Sequence, residues 1–173
     1  MKALFQPPMK PLIPFCCVLF VAFLTETNVV AQSYRMATVA GSSRLGDGNP
    51  ATSVPLRYPY GVAQDAAGNI YFADASDNRV RRVGTDGKIS TVEGTGVAGF
   101  SGDGGPATQA MLDTPEGIRL DAKGANLYIG DYNNNRVRMV VLATGVITTV
   151  AGNGNFHYSG DKGPAIQAGL GAG

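Results

Sequence analysis

Cysteine occurs only as Cys16 and Cys17, inside one apolar run near the start of the chain. The remainder therefore cannot build a disulfide framework, a thiolate metal centre or a cysteine nucleophile. Tryptophan is absent, and histidine occurs once, at His157. A lone imidazole cannot assemble a multi-histidine metal site. Neither sign of charge dominates: 14 Lys and Arg stand against 13 Asp and Glu in 173 residues. No basic run suggests nucleic acid or an anionic membrane as a partner. Glycine is missing before Gly41 and then appears 24 times. That distribution suits tight turns rather than helices.

The glycine-free segment has its own logic. Met1 to Lys10 carries Lys2 and Lys10, and Ile13 to Leu24 (IPFCCVLFVAFL) is apolar. Val29-Val30-Ala31 then places small residues at the positions a signal peptidase reads. The pattern predicts a signal peptide over residues 1–31, cleavage after Ala31, and a secreted or periplasmic product starting at Gln32. An uncleaved membrane anchor is the competing reading, but the run is short for a span. A lipoprotein is disfavoured because no small-residue box precedes either cysteine. Cleavage removes both cysteines, leaves the charges balanced and leaves no stable membrane span.

The chain beyond this segment is repetitive. Tyr58 to Val83 (YPYGVAQDAAGNIYFADASDNRVRRV) returns as Thr114 to Val140 (TPEGIRLDAKGANLYIGDYNNNRVRMV). Tyr71 recurs as Tyr128, which sets a period of about 57 residues. Two further landmarks keep step. Gly46-Asp47-Gly48-Asn49-Pro50-Ala51 recurs from Gly102 to Ala107 and again from Gly160 to Ala165. Thr-Val-x-Gly sits at Thr38 to Gly41, Thr91 to Gly94 and Thr149 to Gly152.

Within the first unit, short alternating segments separated by turn residues predict strands over Gly61–Asp65, Ile70–Ala73, Arg79–Val83 and Ile89–Glu93. Gly68, the Asp74-to-Asn78 segment and Asp86-Gly87 supply the turns. The second unit predicts strands over Gly117–Asp121, Asn126–Gly130, Arg136–Leu142 and Val146–Ala151. Between units runs a long link, whose Pro106 to Leu112 predicts a short helical turn, with Ala110 and Leu112 covering a sheet edge. An up-and-down four-stranded sheet that repeats is what a β-propeller blade requires, since one blade cannot cover both its faces. The expected class is all-β: about two complete four-stranded blades with partial flanking repeats and an incomplete ring. A solenoid-like stack, or a ring closed by several chains, fits the same pattern.

The organisation expected is a signal peptide (1–31), an N-terminal arm with a lone closing strand and link (32–57), a first blade (58–93), a link (94–116), a second blade (117–151) and a truncated third link (152–173). The lone Thr38-to-Gly41 strand corresponds to a fourth strand and would close a ring with three C-terminal strands that do not follow. A truncated gene or a fragment accounts for this most simply.

Pro59-x-Gly61-Val62, Asp65, Gly68-Asn69-Ile70-Tyr71, Ala73-Asp74 and Asn78-Arg79-Val80-Arg81 resemble the NHL repeat. The second copy carries Pro115-x-Gly117-Ile118, Asp121, Leu127-Tyr128-Ile129, Gly130-Asp131 and Asn135-Arg136-Val137-Arg138, with Gly130 in place of the usual alanine. The link from Gly99 to Thr108 is similar to those of secreted bacterial NHL proteins and of the teneurin NHL propeller. The resemblance implies a propeller used mostly as a binding scaffold, and it implies little about activity.

The polar motif residues are Asp74, Asn78, Arg79 and their counterparts Asp131, Asn135, Arg136. They read as scaffolding, with Asp capping its turn, Asn left-handed and Arg bonded to a nearby carboxylate or carbonyl. The Gly-Asp-Gly segments lack the ligand series of a calcium loop and the Gly-Lys-Ser/Thr of a phosphate loop. No cofactor or metal is expected, and Ser101 and Ser159 have no visible catalytic partners. Strand parity places the long links and the second-to-third turns at one end of the blades. That end carries Phe100 and the segment Phe156-His157-Tyr158, where the repeat departs from its own pattern. These four residues form the expected partner-binding face for a protein or carbohydrate ligand, and the bare blade faces offer a route to self-association. The function expected is an exported, non-catalytic binding or structural scaffold. The alternative is part of a propeller lyase or hydrolase whose catalytic residues lie in other blades.

Overall fold

The computed structural model describes residues 46–171. The signal peptide, the arm from Gln32 and the Thr38-to-Gly41 strand lie outside the described residues. Eight strands form two four-stranded antiparallel sheets, each in sequential order. The first sheet holds β1 (Pro59–Gln64), β2 (Ile70–Asp74), β3 (Arg79–Val83) and β4 (Ile89–Glu93). The second holds β5 (Pro115–Leu120), β6 (Asn126–Asp131), β7 (Arg136–Val141) and β8 (Val146–Ala151).

Three predicted strands match their bounds, and the first strand of each sheet starts two residues early. Proline lacks an N–H, so Pro59 and Pro115 can open a strand at no cost to the ladder. Asp65 and Asp121 drop out of the strands because their carboxylates fold back onto the turn. Asp65 accepts the Asn69 backbone N–H at 2.8 Å, and Asp121 accepts that of Ala125 at 2.8 Å. Both sheets bulge between β3 and β4 or their counterparts, at Val80/Arg81 and at Val137/Arg138.

Alternation sorts the side chains onto two faces. In the first sheet Tyr71 pairs with Arg82 and Ala73 with Val80, while Phe72 pairs with Arg81 and Ile70 with Val83. Tyr71 and Val80 face the second sheet. They join Leu127, Ile129, Val140 and Ile147 of that sheet in the main core. Phe72, Val83 and Ile89 point the other way and pack with Ala51 and Val54 of the preceding link. A fully buried Leu or Ile contributes about 1.5–3 kcal/mol, so the seam between the sheets is the main apolar store of the fold.

The two sheets come closest along β1 and β5. A Cβ on Gly61 would lie 2.5 Å from the Glu116 carbonyl oxygen and 2.9 Å from the Ile118 nitrogen. This close approach of two backbones explains the glycine of the repeated Pro-x-Gly.

The links differ from expectation in one respect. A 3-10 turn (Ala107–Gln109) does follow Pro106. Ala110 and Leu112, however, do not cover a sheet edge; both are fully buried in the core between the sheets. The edge is covered instead by the backbone just before them. Gly104 N–H donates to the Ile147 carbonyl at 2.8 Å, and Ile147 N–H donates to the Gly105 carbonyl at 3.1 Å. The same clasp holds β4, through Gly48 to Ile89 and Ile89 to Asn49. Ala110 and Leu112 are apolar and lie beyond the turn, so the chain's return to the sheets carries them inward.

Each link also grips the strand that enters it. Gly94 N–H donates to the Ala107 carbonyl at 3.1 Å, and Gly152 N–H to that of Ala165 at 2.9 Å. Gly94 has φ +93°, and a Cβ there would lie 2.2 Å from the Asn78 carbonyl oxygen. Gly87 also has a positive φ, but its Cβ would meet nothing within 4 Å. Gly87→Ala is expected to destabilise by about 1 kcal/mol, from backbone conformation alone. Gly94→Ala adds a steric clash with backbone and should exceed about 3 kcal/mol. Urea unfolding of the two variants checks this; equal losses would refute the role given to the close contact.

Candidate functional site

The repeated polar residues converge at the long-link end of each sheet. Asn78 and Asn135 both adopt the left-handed conformation, with φ 49°, as expected. Arg79 bonds the Asp77 carboxylate at 2.7 Å and the Thr95 carbonyl. Arg136 donates to the Asn134 and Asn153 carbonyls, each at 2.9 Å. Both arginines thus bridge a second-to-third turn to the link that leaves the same sheet.

The aspartates behave differently from expectation. Asp74 and Asp131 occupy the position before their 3-10 turns but make no cap to the turn backbone. Both are buried, and both reach back to the preceding link. Asp74 accepts Arg57 N–H at 3.2 Å; Asp131 accepts Asp113 N–H at 2.8 Å and the Asn134 side-chain amide at 2.8 Å. Burial raises the pKa of both carboxyls above the ordinary range, while these donors pull the other way. The reversal has a simple cause: each Asp side chain lies on a buried sheet face, so it serves the backbone of the link, and in Asp131 also the Asn134 side chain, rather than the backbone of the turn.

A second network is built from residues whose pairing no single motif reveals. Arg81 and Arg138 are the largest fully buried side chains. Arg81 pairs with Asp47 at 2.8 Å, and Thr91 donates to the same carboxylate at 3.1 Å. Arg138 pairs with Asp103 at 2.9 Å, and Thr149 donates to Asp103 at 2.7 Å. Arg138 also reaches Asp131 at 3.4 Å and the Ser101 carbonyl at 3.0 Å. The aspartate of Gly-Asp-Gly, the second arginine of Asn-Arg-Val-Arg and the threonine of Thr-Val-x-Gly are therefore one cluster per blade. Their near-constant spacing in the two blades, 34 and 35 residues from Asp to Arg and 44 and 46 from Asp to Thr, is the signal in the sequence that could have found them. The Gly-Asp-Gly aspartates are turn residues, as expected, but they are also the counter-ions of the buried arginines.

The four aromatic-face residues divide into two settings. Phe100 is 41% exposed and lies under two guanidinium groups, Arg136 at 3.8 Å and Arg138 at 4.8 Å from its ring centre. Its ring is thus engaged by cations within the blade. Phe156 and Tyr158 are 59% and 66% exposed, and His157 is exposed beside them. Phe156 and His157 meet edge to face with centres 6.2 Å apart. The Tyr158 hydroxyl bonds Asp161, which raises its pKa. Phe156 also lines a cleft of about 530 Å³ with Tyr132, Asn133, Arg136 and Leu170. Phe100 does not line that cleft; it belongs to a separate hollow on the other side of Arg136. The structure brings Phe156, His157 and Tyr158 together and leaves Phe100 apart from them.

Among the described residues no group of three or more His, Cys, Asp or Glu side chains is placed to hold a metal, and no helix is long and apolar enough to cross a membrane.

Two four-stranded antiparallel sheets, packed face to face with their first strands adjoining, are blades of a β-propeller, and among the described residues the ring is not closed. A family model described as the teneurin NHL domain matches residues 23–99. Human teneurin-4 is 36% identical over 127 residues, a stretch covering 66% of this chain and 4% of that protein. The bovine NHL repeat-containing protein 2 is 30% identical over 95 residues, covering 54% of this chain and 13% of that one. A solved structure of a protein of unknown function from Bacteroides thetaiotaomicron superposes with a TM-score of 0.55 at 25% identity, over 65% of this chain and 28% of the other. The chain thus spans only a small part of the curated relatives that it matches. The repeat unit is the NHL repeat, and the two sheets are NHL blades.

Removing the Asp103 carboxylate would leave Arg138 buried with the longer contact to Asp131, at 3.4 Å, as its remaining ion pair. Asp103→Ala is expected to cost about 3 kcal/mol, the loss typical of a buried charge deprived of its partner. Thr149→Ala removes one hydrogen bond and should cost about 1 kcal/mol. Chemical denaturation of the two variants checks the order; a smaller loss for Asp103→Ala would refute the pairing as the dominant contact.

Proposed function

We propose that the chain is an exported, non-catalytic recognition or structural module that meets its partner on the long-link end of its blades. One observation carries the reading: Phe156, His157 and Tyr158 are exposed together where the third link departs from the repeat, at the rim of the cleft beside Tyr132 and Arg136. Exposed aromatics next to polar groups are the composition of a recognition surface. The repeat's own charged groups support the same reading, since Arg79, Arg81, Arg136 and Arg138 are each engaged within the blades. The partner class is a protein or a carbohydrate, because aromatic faces suit apolar side chains and sugar rings alike. Export is part of the proposal and rests on the N-terminal signal pattern. Self-association is a further part of it. The first blade presents Tyr60 (47% exposed) and Val62 (70% exposed) beside Phe72, and apolar patches of this kind pair.

Glycan and extracellular-protein arrays probed with the full chain test the assignment. A Phe156→Ala, His157→Ala, Tyr158→Ala variant should lose about tenfold or more of any saturable binding, as aromatic hot spots do. An Asp86→Ala, Lys88→Ala variant changes the opposite end and should bind as the parent does. Loss in the second variant with none in the first places the partner elsewhere and overturns the reading.

A further inference from the structure

Glu93 interrupts the repeat. Thr-Val-x-Gly carries Ala40, Glu93 and Ala151 at its variable position. A small apolar residue there is what the second blade accommodates at the end of β8. In the first blade the side chain is instead a carboxyl, at the end of β4 opposite Val80. Val80 faces the second sheet, and so does Glu93, which is 0% exposed. Neither of its carboxyl oxygens accepts a hydrogen bond, and the Nε of Arg138 donates none. An ion held without a single donor, away from water, is a costly arrangement that neutralisation relieves.

The charged groups around it come from three elements of the neighbouring structure. Arg138 on β7 favours the ionised form, while Asp131 at the end of β6 and Asp103 in the link oppose it. Arg138 is already paired with Asp103 at 2.9 Å and Asp131 at 3.4 Å, so its charge is largely committed. Burial outweighs them all and pushes the Glu93 carboxyl up to about 8.

We propose that Glu93 makes the seam between the two blades responsive to protons. As a neutral acid it seats between the sheets. Once ionised it draws water into the seam and loosens the link's hold on the end of β4. The hold lies next to it in sequence: Gly94 N–H to the Ala107 carbonyl and Thr95 N–H to the Ala110 carbonyl. The direction comes from linkage. A carboxyl whose folded pKa is raised binds its proton more tightly in the folded state. Its stabilising contribution is therefore full below the ordinary value of 4.5 and is lost as the pH climbs through about 8. Asp131 faces the same seam and is shifted in the same direction, so it adds to the lower edge of that window.

Amide hydrogen exchange on the full chain at about pH 6 and about pH 9, with rates divided by those of unstructured peptide, reads the seam directly. Protection of the Gly94 and Thr95 amides should fall by about tenfold or more across that range, and by at least as much as that of amides between β6 and β7, which follow global stability. Glu93→Gln should abolish the pH response while keeping the side chain's shape. Glu93→Ala, which installs the residue found at position 151, should abolish it too and keeps the test open if the glutamine variant folds poorly. NMR titration of the Glu93 carboxyl carbon gives a second readout, with a midpoint far above the ordinary glutamate range. An unchanged pH response in both variants, or an ordinary midpoint, overturns the proposal.

Discussion

A buried arginine in each blade is the constraint on which the rest of the architecture depends. Arg81 and Arg138 lie on sheet faces that neighbouring segments cover, and an unpaired guanidinium there would be prohibitive. The counter-ion cannot come from an adjacent position on the same strand, since neighbours along a strand point to opposite faces. For Arg81 it comes from Asp47, and for Arg138 at the shortest distance from Asp103, each thirty-odd residues earlier in the chain, with Asp131 at 3.4 Å a second partner of Arg138. Satisfying one charge therefore fixes the course of a whole link. Once Asp103 is at Arg138, the glycines around it fall beside Ile147, and the clasp on the edge of β8 results. Phe100, three residues before Asp103, then lands against the Arg136 and Arg138 guanidinium groups.

Much of this architecture is legible in the sequence because the repeat is its own alignment. Strand positions come from alternation and from turn residues whose chemistry is local. The bounds of β3, β4 and β8 need nothing more. The left-handed Asn78 and Asn135 are readable for the same reason, since asparagine tolerates that conformation through contacts to its own backbone. The departures from expectation concern contacts that are distant in sequence. Whether Asp131 caps a turn or reaches under it depends on which face of the sheet is covered, and only packing decides that. Ala110 and Leu112 are recognisable as covering residues, but the surface they cover is a seam between sheets, which does not exist until the second sheet is placed. Glu93 leaves a trace in the sequence as the one charged residue at a position otherwise filled by alanine. Its meaning depends on burial, and Thr-Val-x-Gly by itself says nothing about which way x points.

The two kinds of polar residue at the long-link end play different parts. The repeated Asp, Asn and Arg groups are turned toward one another and hold turns to links. The third link carries the departures, with Phe156 and His157 standing where the link above has Ala98 and Gly99. A repeat that keeps its connecting chemistry constant while altering single loops has separated rigidity from recognition. The loops can change without endangering the charge pairs beneath them.

The clasp between link and fourth strand has a consequence for how such a chain can grow. Gly48 and Asn49 close the edge of β4, and Gly104 and Gly105 close that of β8, so the segment that completes each blade is encoded before the blade's own first strand. A piece cut at the first strand and copied elsewhere would arrive without its counter-ion and with an open edge. A piece that begins at the Gly-Asp-Gly segment and ends at the glycine of Thr-Val-x-Gly carries both. Duplication that respects those ends transmits each blade with its counter-ion and its closed edge, a frame different from the four strands the eye picks out.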